Sequence, residues 1–87
     1  MDDIADWRRK IDDIDVSIAA LLQKRAAYAE EIGKLKKSRN LDVYDPERER
    51  FVYERLRTLA EGPLDGDALV KIFAVIIEEC KRNESTV

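Results

Sequence analysis

Apolar residues recur along the first third of the chain at Ile4, Trp7, Ile11, Ile14, Ile18 and Leu21, then at Tyr28, Ile32 and Leu35. The steps alternate between three and four, the signature of an α-helix with one buried stripe. No proline or glycine interrupts the stripe until Gly33, one turn from its end. One position breaks the pattern: where the alternation asks for an apolar residue after Leu21, the chain has Arg25. An arginine on a core stripe either snorkels to water or meets an anion inside.

The pattern predicts helix 1 from about Asp3 to Ser38, with Asp2 or Asp3 as its N-cap and Lys34, Lys36 and Lys37 at the end that suits positive charge. A loop follows from Arg39 to Asp45, opened by Asn40, a residue suited to ending a helix. Asp45-Pro46-Glu47 reads as a helix start: a capping acid, proline at the first helical position, then a second acid. Helix 2 is expected to turn Phe51, Val52, Leu56 and Leu59 inward and to stop near Glu61, before Gly62-Pro63. Helix 3, capped by Asp65 or Asp67, is expected to bury Leu69, Ile72, Phe73, Ile76, Ile77 and Cys80 and to fray after Glu84.

The expected fold is therefore all-α, one domain over residues 1–87, with three helices and a long first one. At ~1.5 Å per residue helix 1 is ~50 Å long, whereas a compact domain of this size has a radius of gyration of only ~12 Å. Helices 2 and 3 laid along it cover one side and leave apolar surface open. A homodimer with the long helices packed together is the economical solution.

Composition narrows the chemistry. The chain is 45% hydrophobic and 40% charged, as a soluble helical protein would be. A net charge of −3 argues against a nucleic-acid partner, so an anion site would have to be a local cluster. The absence of histidine and the single cysteine, Cys80, argue against zinc or haem. The lone cysteine and an acidic N-terminus without a signal pattern fit a cytoplasmic protein, and no apolar run is long enough to span a membrane.

Several polar residues share faces with the expected core. Arg25 and Lys36 lie eleven residues apart and point the same way, their backbones ~16 Å apart. Arg8 flanks the stripe but sits ~25 Å from Arg25 along the helix; in an antiparallel dimer it could complete the partner's site. Arg48 falls on the inner side of helix 2, next to Glu49, and Glu84 continues the row Phe73, Ile76, Ile77, Cys80. Burial there would raise the Glu84 pKa and let a protonated carboxyl donate a hydrogen bond. Cations converging in an apolar bundle suit a small dicarboxylate, because arginine grips carboxylates bidentately and keeps its charge when buried. Each residue also has an ordinary reading: a snorkelling edge for Arg25, helix-end solvation for Lys36, weak surface pairs for Arg8 and Arg48, a frayed tail for Glu84, core for Cys80, and an ion-pair partner for Asp15.

Taken together, Trp7-Arg8-x-x-Ile11-Asp12-x-Ile14-Asp15, Leu21-Leu22-x-x-Arg25, Ile32-Gly33-x-x-Lys36, Asp45-Pro46-x-Arg48-Glu49 and Ile76-Ile77-Glu78 resemble the AroQ class, the all-helical type II chorismate mutases. The resemblance covers nearly the whole chain. It implies an intertwined three-helix homodimer that converts chorismate to prephenate by a Claisen rearrangement, with no cofactor and no covalent intermediate. It also implies roles: Arg25, Arg48 and the partner's Arg8 on the substrate carboxylates, Lys36 at the ether oxygen, Glu49 and the backbone near Asp45 on the ring hydroxyl. Two positions depart from the common bacterial pattern. Cys80 replaces a serine or threonine that touches a carboxylate, and Glu84 replaces a glutamine opposite Lys36, as in fungal members. Three other functions stay open: an isochorismate-pyruvate lyase on the same scaffold, a regulatory or partner-binding module of an aromatic-pathway synthase, and a plain helical dimerisation module.

Overall fold

The computed structural model describes residues 3–86. Three helices account for nearly all of it: α1 (Asp3–Ser38), α2 (Pro46–Thr58) and α3 (Gly66–Thr86). Asp3 is already helical, with Asp6 beside it in an acidic first turn, while Asp2, the other candidate cap, lies outside the described residues.

The end of α1 is built from backbone. Asn40 adopts φ 57°, the left-handed region that asparagine tolerates better than most residues. With it, Leu41 N–H donates to the Lys36 carbonyl at 2.8 Å and Asn40 N–H to the Lys37 carbonyl at 3.2 Å. This is the six-to-one and five-to-two pairing of a Schellman motif, and it fixes where Lys36 stands relative to the loop that follows.

α2 starts as its sequence indicates: the Asp45 carboxylate accepts from Arg48 N–H at 3.1 Å and Pro46 takes the first helical position. It ends at Thr58, short of Glu61, where Thr58 Oγ1 donates to the Arg55 carbonyl at 2.7 Å. Pro63 biases the residue before it away from helix, and the chain uses residues 60–65 to reverse direction. α3 is capped by Asp65, whose carboxylate accepts from Ala68 N–H at 2.8 Å; Asp67 instead pairs with Arg57 at 2.7 Å, tying the end of α2 to the start of α3. The last turn does not fray at Glu84. Asn83 and Ser85 side chains donate to the Glu79 and Lys81 carbonyls and carry the helix to Thr86.

α3 packs against both α1 and α2, which do not pack directly on each other. Ala29 and Gly33, one turn apart, give α1 a surface with almost no side chain, and both are buried, as are Leu56, Ile77 and Cys80. The rest of the expected core is only partly covered. Phe51, Leu59 and Ile72, predicted to face inward, are 51%, 60% and 47% exposed. So is the first half of the α1 stripe: Ile4, Trp7, Ile11, Ile14, Ile18 and Leu21 are each 48–63% exposed. The chain measures 59 × 24 × 14 Å with a radius of gyration of 16.3 Å, well above the ~12 Å of a compact domain its size. One layer of helices cannot enclose both faces of α1. Among the described residues, no helix is long and apolar enough to cross a membrane.

Candidate active site

Where the C-terminal half of α1, the first turns of α2 and the C-terminal half of α3 converge, they leave a cleft of about 480 Å³. That is a size suited to a small organic ligand. Arg25 and Lys36 reach it from α1, Arg48 and Glu49 from the start of α2, Asp45 from the loop before it, and Cys80 and Glu84 from α3. Arg8, seventeen residues before Arg25 on α1, does not line it. The structure thus gathers every candidate site residue except Arg8, the residue placed across a dimer interface by the sequence.

Some surface cations are paired: Arg9 with Asp6, Lys34 with Glu31 at 3.0 Å, Arg57 with Asp67, and Arg82 with Glu79 at 2.8 Å. In the cleft, neither Arg25 nor Arg48 has a carboxylate partner among the described residues. Arg48 lies over the Phe51 ring, 5.2 Å from its centroid, a weak attraction that steadies the guanidinium without neutralising it. Arg25 is half-buried. A guanidinium keeps its charge in such a place and presents a planar fork of donors.

Lys36 is tethered. Its Nζ donates to the Val43 carbonyl at 3.1 Å and stands 3.1 Å from Glu84 Oε1, both side chains largely buried. Charge attraction holds the two together, but the angle makes no hydrogen bond, and Glu84 Oε1 remains a buried oxygen with no hydrogen-bond partner. The sequence suggested a carboxyl at the end of an apolar row; the structure gives it a cationic neighbour as well. Asp45 lines the cleft, and its Oδ1 accepts the capping hydrogen bond of α2. Cys80, 6% exposed and a free thiol, forms part of the wall.

Sequence reasoning missed one charged residue of the cleft. Lys81 donates to Glu49 Oε2 at 3.0 Å, lies 3.7 Å from Glu78 Oε2 and stands over Tyr44, 5.8 Å from the ring centroid. The hydrogen bond that Lys81 donates to Glu49, more than the opposing desolvation, raises the Lys81 pKa above the usual 10.5. The signal was present: Lys81 follows Ile77 by four and precedes Glu84 by three, so it shares their face. Attention to the apolar row passed over it.

The three helices thus define a small all-helical domain with a cleft lined by both apolar and charged side chains. The profile of the family Chorismate mutase type II matches residues 7–85, and the chain belongs to that family. The chorismate mutase of Methanocaldococcus jannaschii is 37% identical over 79 residues, covering 90% of this chain and 80% of that protein. The bifunctional chorismate mutase/prephenate dehydratase of Aquifex aeolicus is 38% identical over 84 residues, but the match spans only 23% of its length. The structure of a chorismate mutase from Thermus thermophilus superimposes with a TM-score of 0.93 at 29% identity, covering 95% of this chain and 94% of that one.

Proposed function

We propose that this domain is a chorismate mutase, converting chorismate to prephenate by an intramolecular Claisen rearrangement. The observation that carries the reading is the pair of unpartnered guanidinium groups, Arg25 and Arg48, facing a cleft that also holds Lys36. Two anion grips suit a dicarboxylate, and a pericyclic reaction needs no nucleophile. Arg25 and Arg48 bind the carboxylates and hold the flexible enolpyruvyl arm over the ring, so that the reacting carbons start close together. Lys36 stands at the ether oxygen, where negative charge grows as the C–O bond breaks; a fixed ammonium there stabilises the transition state more than the ground state. Glu84 supplies the second contact to that oxygen when it carries a proton. Glu49 accepts a hydrogen bond from the ring hydroxyl, with the Asp45 backbone beside it, and Cys80 closes the wall near a carboxylate.

The active species is a homodimer. The half-exposed stripe from Ile4 to Leu21 gains a cover in the α1 helix of a second copy running antiparallel. That arrangement brings the partner copy's residue 8 toward the cleft, so Arg8 completes the carboxylate grip from across the interface.

Loss of chorismate absorbance on adding the purified protein tests the reaction, with Arg25→Ala as the control. Rapid loss by the parent, reduced on the order of a hundredfold in the variant, supports it. An inert parent that is folded and dimeric, or salicylate formed from isochorismate, would overturn it in favour of the lyase or a partner-dependent module.

A further inference from the structure

Lys81 and Glu49 join α3 to α2 across 32 residues of sequence, and both side chains are about three-quarters buried at the cleft wall. A long acid side chain on its own samples many rotamers and would lose that freedom on binding a ligand. Here the loss is already met. Glu49 Oε2 is held by Lys81 Nζ at 3.0 Å, while Oε1 has no hydrogen bond among the described residues. Lys81 is in turn steadied on two further sides, by the Tyr44 ring and by Glu78. Its ammonium is therefore committed, unlike the guanidinium groups of Arg25 and Arg48, and is poorly placed to take a carboxylate of its own.

We propose that Lys81 is a positioning residue: by holding Glu49 Oε2 it leaves Oε1 fixed as the acceptor for a ligand hydroxyl. The inference rests on the mutase reading and deepens it by naming what selects for the ring hydroxyl. Without the tether Glu49 becomes mobile, and the cleft binds a hydroxylated and an alkoxylated ring with less discrimination.

The test compares kcat/KM on chorismate and on its 4-O-methyl ether, which cannot donate a hydrogen bond, for the parent, Lys81→Met, Lys81→Arg, Glu49→Ala and the Glu49→Ala/Lys81→Met double variant. Melting temperatures verify folding, and Lys81→Gln replaces the methionine variant should that one not fold. Lys81→Met is expected to lose about tenfold on chorismate, mostly through KM, with no comparable loss on the methyl ether. Lys81→Arg should keep most of the parent's preference, and Lys81→Met should add nothing once Glu49 is alanine. Equal losses on both substrates, or a loss that persists in full without Glu49, would overturn the inference and leave Lys81 as a brace or a direct ligand contact. A parent active on chorismate with an unchanged Lys81→Met would overturn it alone. A parent without activity would take the mutase reading down first, and this inference with it.

Discussion

An unpaired arginine inside a cleft is costly to maintain. It cannot shed its proton, and partial burial removes water that would otherwise solvate it. Arg25, half-buried, bears that cost, while Arg48 is exposed; neither has an acid partner among the described residues, so both are open to an anionic ligand. Glu84 sets the opposite problem. Its buried Oε1 faces Lys36 without a hydrogen bond, and an ionised carboxylate beside an ether oxygen that is gaining charge would repel it. Glu84→Gln places a neutral amide there that donates at every pH. The variant is expected to match or exceed the parent's kcat/KM on chorismate, and a loss of tenfold or more would show that the carboxylate itself is needed beside Lys36.

Elements place these residues, and the cap of α2 does so for several at once. Asp45 fixes the first turn, and that turn carries Arg48 and Glu49 into the cleft. Removing a capping acid costs about 1 kcal/mol. Asp45→Ala should therefore lower stability to denaturant by about that amount and lower kcat/KM further than a stability loss alone explains, whereas Asp45→Asn, which still caps, should stay near the parent in both. The same cap was legible in the sequence, as were the span of α1 and the turn at Asn40, because each is set by local chemistry: a proline, an acid, a residue that tolerates positive φ. The end of α2 and the last turn of α3 were less legible. One depends on how the chain reverses around Gly62-Pro63, the other on Asn83 and Ser85 bonding back to carbonyls that only a formed helix presents. The cleft residues were found largely as departures from an apolar pattern. Lys81 escaped because its partner, Glu49, lies on another helix, and pattern reading along one helix does not see across to the next.

At the scale of the molecule, Phe51, Leu59, Ile72 and the α1 stripe show what periodicity can and cannot say: it marks an apolar face without saying which chain covers it. Covering six half-exposed side chains from Ile4 to Leu21 would contribute about 1 kcal/mol each, set against a comparable cost of bringing two chains together. A second copy supplies that cover and the missing cation together. If Arg8 serves the partner's cleft, Arg8→Ala and Arg25→Ala chains are each nearly inactive alone but complement one another when unfolded and refolded as a mixture. In a mixed dimer, one site draws Arg25 from the Arg8→Ala chain and Arg8 from the Arg25→Ala chain, and so is complete. The other site lacks both. With random reassortment half the dimers are mixed and each has one working site, so about a quarter of the parent's activity should return. If Arg8 instead served the cleft of its own chain, every site in the mixture would lack one arginine or the other and no activity would return. Sedimentation of the parent as a dimer, with that recovered quarter, would join the open stripe and the incomplete cleft in a single assembly; sedimentation as a monomer would separate them.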